Sequence, residues 1–233
     1  MESPVLIVVV LGVLVVAGLY LGARQARKRR EALAALAARL GLRFSRDDPY
    51  HLASRLGTLF PTLTHGDNRY AYNVAAGSHD GRPVFLFDFH HETTSTDSKG
   101  RRQTHHHHRS FVSVDHDVDL GRMEVRPEHF FDKMKAFFGF DDIDFESAEF
   151  SKKYYVKGED RELAYKILHP QMIEYLLALD GLKVTANGPH ALFRYGSGRM
   201  SADEIETALT DGFGFLDLIP RYLRKDRAAG SSP

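Results

Sequence analysis

The strongest constraint on this chain lies near its N-terminus. Residues 3–23 contain no charged side chain, and residues 5–16 are apolar apart from Gly12. As a helix rising about 1.5 Å per residue, the stretch is about 31 Å long, which matches the hydrocarbon core of a bilayer. Its thirteen Val, Leu and Ile residues favour insertion by about 4–8 kcal/mol. A valine-rich run also suits a buried strand, but strands seldom run past about ten residues.

A cleaved signal peptide is the competing reading. It carries a basic leading region, a shorter apolar core and a small-residue cleavage site. Here Met1-Glu2-Ser3-Pro4 has no positive charge, and the basic residues follow the apolar run as Arg24, Arg27, Lys28, Arg29 and Arg30. By the positive-inside rule this flank stays cytoplasmic and the N-terminus crosses the membrane. Residues 1–30 therefore read as a single-pass anchor with a basic flank, in the inner (plasma) membrane. The basic cluster is sufficiently explained as a topology signal; anionic-lipid recognition is its second reading.

About 200 of the 233 residues remain, enough for one large domain or two small ones. The 43% hydrophobic and 27% charged composition is that of a globular chain. Lys plus Arg and Asp plus Glu balance at 31 each, so no overall field draws in nucleic acid. The absence of cysteine removes disulfides, thiolate metal sites and Cys nucleophiles.

Residues 30–40 are strong helix formers followed by Gly41, and they read as a stalk continuing the anchor helix. A strand at 42–45 and a short helix at 49–56 follow. Residues 69–74 alternate with Tyr70, Tyr72 and Val74 on one face. Residues 84–89 alternate with Phe85, Phe87 and Phe89 together, and Asp80-Gly81 between the runs is a hairpin signal. Strands near 111–114 and 123–125 would complete an antiparallel meander. Pro127 would then open a helix carrying Phe130, Phe131, Met134, Phe137 and Phe138.

The second half reads as a strand at 154–157, helix at 161–177 broken at Pro170, a hairpin around Asn187-Gly188, and a last helix opened by the capping box Ser201–Glu204. The fold class is therefore α+β: a transmembrane helix followed by antiparallel sheet with packed helices. Its units are 31–140, with a long His-bearing hairpin, a smaller β-α-β-β-α unit at 141–226, and a disordered tail at 227–233. The two halves can be written as a duplicated unit.

Histidine is the one conspicuous cluster. His90, His91 and Glu92 end the Phe-rich strand, and His105 to His108 begin the next. With a turn centred on Ser98-Lys99, His91 pairs with His106 and His90 with His107. His91, His106 and His108 then share a face that could hold zinc, nickel or copper; no carboxylate is clearly placed to orient these rings, Glu92 and Asp88 being the candidates. The plainer reading is a solvated hairpin, and no cofactor is expected on it. The acidic residues Asp141, Asp142, Asp144, Glu146 and Glu149 lack EF-hand spacing, and read as a connection with Ile143 and Phe145 tucked inward. No phosphate loop, serine elbow or catalytic triad is present, so no catalytic residue is assigned.

Several segments together resemble a family of uncharacterised bacterial single-pass membrane-anchored proteins. They are the basic stalk running into Leu36-Ala37-Ala38-Arg39-Leu40-Gly41-Leu42-Arg43-Phe44, residues 84–88 with their Thr- and His-bearing hairpin, Arg126-Pro127-Glu128, and residues 142–145 with 150–154. The resemblance covers most of the chain after the anchor and implies no activity. The expected role is a membrane-tethered, non-enzymatic cytoplasmic module that binds or scaffolds a protein partner. The alternative is a metal sensor or metal-dependent enzyme built on the His-rich hairpin.

Overall fold

The computed structural model describes residues 4–128, 142, 143, 145–179 and 181–224. One uninterrupted helix, α1 (Pro4–Arg39), contains both the apolar run and the stalk. Its 36 residues extend about 54 Å. Gly41, at φ +70°, ends it: the Leu42 N–H donates to the Ala37 carbonyl at 2.8 Å and the Gly41 N–H to the Ala38 carbonyl at 3.2 Å. This double closure needs a left-handed residue, which glycine adopts without strain.

After α1 come β1 (Arg43–Ser45), α2 (Leu52–Gly57), a 3₁₀ turn at Pro61–Leu63, β2 (Asp67–His79), β3 (Arg82–Thr96), β4 (Arg102–Asp115) and β5 (Arg122–Pro127). Then follow α3 (Ala148–Lys153), β6 (Tyr154–Gly158), α4 (Arg161–Ile167), α5 (Pro170–Ala178), β7 (Lys183–Asn187), β8 (His190–Arg194) and α6 (Ala202–Asp217). The eight strands form one antiparallel sheet in the order β1-β2-β3-β4-β8-β7-β5-β6.

That order differs from the simple meander. The β7–β8 hairpin inserts between β4 and β5, so β4 pairs β8 and β5 pairs both β6 and β7. The sheet thus runs across residue 140, and strands on either side of that position are hydrogen-bonded neighbours. Pro127 closes β5; the expected Phe-rich helix at 130–138 and the tail at 227–233 lie outside the described residues.

Alternation along the strands divides the core in two. One face carries Val84, Leu86, Val112, Val114, Val125, Val184 and Phe193, packed against Leu33, Leu36 and Ala37 of α1, Ile205, Leu209 and Phe215 of α6, and residues of α3, α4 and α5. The other carries Phe87, Phe89 and Phe111 against Leu52, Leu56, Phe60 and Leu63. Gly212 lets α6 approach the sheet: a Cβ there would lie 2.7 Å from the Phe193 ring. The expected alignment of Val74 with Tyr70 and Tyr72 is corrected by a bulge. Asn73, at φ +50°, breaks the alternation, and Val74 joins the Phe face while Tyr72 pairs with Asp88 on the helix face.

Candidate functional site

The flank cluster separates by helix geometry. Arg24, Arg27 and Lys28 are exposed, with Arg27 paired to Glu31 one turn on. Arg29 instead shares the stripe of Leu33, Leu36 and Ala37, spaced four, seven and eight residues on, and so turns toward the sheet. Its guanidinium grips Asp88 in a two-pronged pair: Nε donates to Oδ2 at 2.7 Å and Nη2 to Oδ1 at 2.5 Å. Asp88 is wholly buried. It also accepts from Asn73 Nδ2 at 2.9 Å and from the Ser110 hydroxyl at 2.8 Å.

The remaining donors of Arg29 extend this joint. Nη1 donates to the Met200 carbonyl at 2.9 Å, and the Met200 N–H donates to Ser110 Oγ at 3.0 Å. One carboxylate thus ties together α1, β2, β3, β4 and the segment leading into α6. A buried carboxylate left without its guanidinium would be costly, so the joint enforces the docking of α1. Arg29 is therefore part of the folded domain, beyond the topology role expected of the basic flank. Sequence spacing alone hid this, because its partner lies 59 residues away.

One step along β3 and β4 from this joint begins the histidine ladder. The observed register pairs His90 with His108, His91 with His107 and Glu92 with His106. This corrects the expected pairing of His91 with His106. The cause is the turn: Asp97 and Arg101 close a three-residue loop, in which Gly100 sits at φ +76° and donates its N–H to the Asp97 carbonyl at 3.0 Å. The Asp97 carboxylate accepts from the Lys99 and Arg101 N–H groups at 2.9 Å each. An odd loop moves the register by one residue relative to an even one, which reverses the faces of one strand against the other. Asp97 and Gly100 were the signals that could have given it.

Hence His106 and His108 share the helix face with His90 and Glu92, whereas His91 lies on the opposite face. On the helix face, Tyr72 Oη and His108 Nδ1 are 2.9 Å apart, and the His90 ring lies tilted at 50° beside His108 with ring centres 4.8 Å apart. Burial, then the charge of Arg199, lowers the pKa of His108. On the Phe face His91 is buried against Phe89, His65 and His107. Burial and the neighbouring Arg109 push its pKa down to about 4, so it is a neutral packing residue near pH 7. Gly66, whose Cβ would meet the Glu92 carbonyl oxygen at 2.2 Å, lets the preceding loop close over this end of the hairpin.

The stretch of α1 from Gly22 to Leu33 and the segment from Arg199 to Glu204 also border an open groove of about 720 Å³, with Lys28 and Arg199 on its walls. The assembled region offers hydrogen-bonding imidazoles, the carboxylates of Asp88 and Glu92, and surface cations beside the base of the apolar helix. It presents no nucleophile–base–orienter arrangement among the described residues.

No protein-family model and no curated protein matches the chain. Among solved structures, the crystal structure of the mycobacterial trehalose monomycolate transport factor A, TtfA, is similar in fold. The TM-score is 0.56 at 13% identity, over 83% of this chain and 97% of that one. The likeness extends to nearly the whole of that crystallised chain and supports the α+β architecture; at this identity it speaks to fold alone.

Proposed function

We propose that this chain is a membrane-tethered binding or scaffolding module, with its sheet domain held on the cytoplasmic surface of the inner membrane. The observation that carries this reading is the continuity of α1. The apolar, lipid-compatible half passes without a break into a half whose Arg29 is locked to Asp88. From Ala23, the last residue of the uncharged run, to Arg29 is about 9 Å along a helix axis. A domain fixed so near the bilayer has a defined face toward it and a defined face toward the cytoplasm, which suits a scaffold better than a freely swinging tether does.

The basic flank supports the orientation, with the N-terminus outside. TtfA is named as a transport factor for trehalose monomycolate, so an integral-membrane transport assembly is the first class of protein partner to test. The chain has no cysteine, so single introduced thiols report cleanly. A thiol at Glu2 should react with an impermeant reagent in intact cells, and one at Ser54 only after lysis. Photo-crosslinkers placed on the exposed sheet surface should capture a defined membrane protein. Capture of no membrane-fraction protein, or labelling of Ser54→Cys in intact cells, would refute the assignment.

A further inference from the structure

We propose that His90, Glu92 and His106 form a binding site for a divalent transition-metal ion of the zinc class. This set differs from the His91, His106 and His108 grouping that the sequence suggested, and it stands independently of the tethering role. The three ligand atoms are already gathered. His90 Nε2 and His106 Nδ1 are 3.3 Å apart, His106 Nδ1 and Glu92 Oε1 3.2 Å, and His90 Nε2 and Glu92 Oε1 3.9 Å. Two ligands on a tetrahedral zinc with bonds of about 2.0–2.1 Å stand about 3.3–3.4 Å apart. Two of the separations match this spacing, and the third needs only a small side-chain rotation.

The backbone explains the gathering. Glu92 faces His106 directly across the ladder, and His90 is two residues before Glu92 on the same face. Outer contacts orient the ligands as metal sites require. His90 Nδ1 donates to the Asn68 carbonyl at 3.0 Å, which leaves the lone pair of the neutral ring on Nε2, the atom aimed at the cluster. Asn68 Nδ2 donates to Glu92 Oε1 at 2.7 Å, and the Tyr70 ring backs His90 with centres 4.7 Å apart.

Exposure is graded across the set. The His90 side chain is 4% exposed, Glu92 21% and His106 60%. One ligand is thus fixed in the fold while another stands at the surface, so an ion can enter and exchange. The donor set of two imidazoles and a carboxylate suits zinc, cobalt or iron(II) and lacks the sulfur that favours copper(I). Three protein ligands leave a fourth position for water or for a donor from a partner.

The test uses the full chain, purified in nanodiscs without a histidine tag and stripped of metal by chelator. Cobalt(II) serves as the probe because zinc itself is spectroscopically silent. One equivalent should give the intense visible absorption of four-coordinate cobalt, displaced by one equivalent of zinc. Glu92→Gln and His106→Ala, both at accessible positions, should weaken binding at least 10-fold while thermal stability without metal stays near that of the parent. His105→Ala and His107→Ala, on the opposite face, should bind as the parent does. Absence of a stoichiometric four-coordinate signal, or affinity unchanged in Glu92→Gln and His106→Ala, would overturn the proposal. So would loss of binding in the opposite-face variants alone.

Discussion

The two halves of α1 belong to one helix but carry their apolar side chains in different arrangements. From Val8 to Leu21 the large apolar side chains are 49–71% exposed and lie all round the helix. From Arg29 onward, one stripe is buried: Leu33, Leu36 and Ala37 are at most 5% exposed, while Glu31 and the small Ala35 and Ala38 face out. A helix apolar all round has no preferred partner in water and belongs in lipid, whereas a striped helix belongs on a core. The difference locates the point where an apolar helix surface open on all sides gives way to protein packing, between Ala23 and Arg29. The groups at that point are cations, one of which is captured by the domain.

The largest test of this division acts on the captured cation. Arg29→Met or Asp88→Leu alone should lower the stability of the domain by about 3–5 kcal/mol, because each strands a buried partner; the double variant should recover most of the loss. Chemical denaturation of the four proteins in detergent closes the cycle. Substantial additive loss in the double variant would show that the two residues are not coupled.

Next in size is a pair of identical truncations. Leu36→Ala removes a side chain that is 1% exposed and should cost about 2–5 kcal/mol. Leu14→Ala, 62% exposed in the apolar half, should leave domain unfolding within about 0.5 kcal/mol of the parent. Equal effects at the two positions would erase the distinction between the halves.

A further contrast is one of pH. His116 lies beside Asp117, Arg82, His190 and Asp115, and burial pushes its pKa from 6.5 down to about 4. Its unfolded form binds more protons between those values. Its contribution is therefore complete above pH 6.5 and is lost as pH falls through about 4, for a total of up to about 3 kcal/mol. His116→Gln should flatten the fall in unfolding free energy across that window, while the effect of Leu36→Ala should not depend on pH there. A last destabilisation is expected at the α6 contact. Gly212→Ala should destabilise by about 1–3 kcal/mol through collision with Phe193, overriding the helix preference of alanine. A rise in melting temperature would show that the ring can move aside.

Much of this was legible in local pattern. The apolar N-terminal helix, the stalk ended by Gly41, the Asp80-Gly81 hairpin, the break at Pro170 and the capping box at Ser201 all depend on neighbours within a few residues. Strand order did not yield, since nothing local in β4 or β5 states that the β7–β8 hairpin comes between them. Arg29 was hidden for a different reason: in a basic flank a cation already has a sufficient local explanation, and Asp88 looks like any polar residue in a strand. The histidine face failed by one residue. Four consecutive histidines fit either register equally well, and only the Asp97–Gly100 loop distinguishes them.

The central claim is that the apolar N-terminal helix and the sheet move as one body through the Arg29–Asp88 joint. Spin labels at Ala23→Cys and Ser54→Cys, placed in the otherwise cysteine-free chain in nanodiscs, test it by pulsed dipolar distance measurement. The joint predicts a single narrow distance distribution that broadens when Asp88→Asn is added. A broad distribution in the parent, unchanged by Asp88→Asn, would show that the domain swings on its anchor.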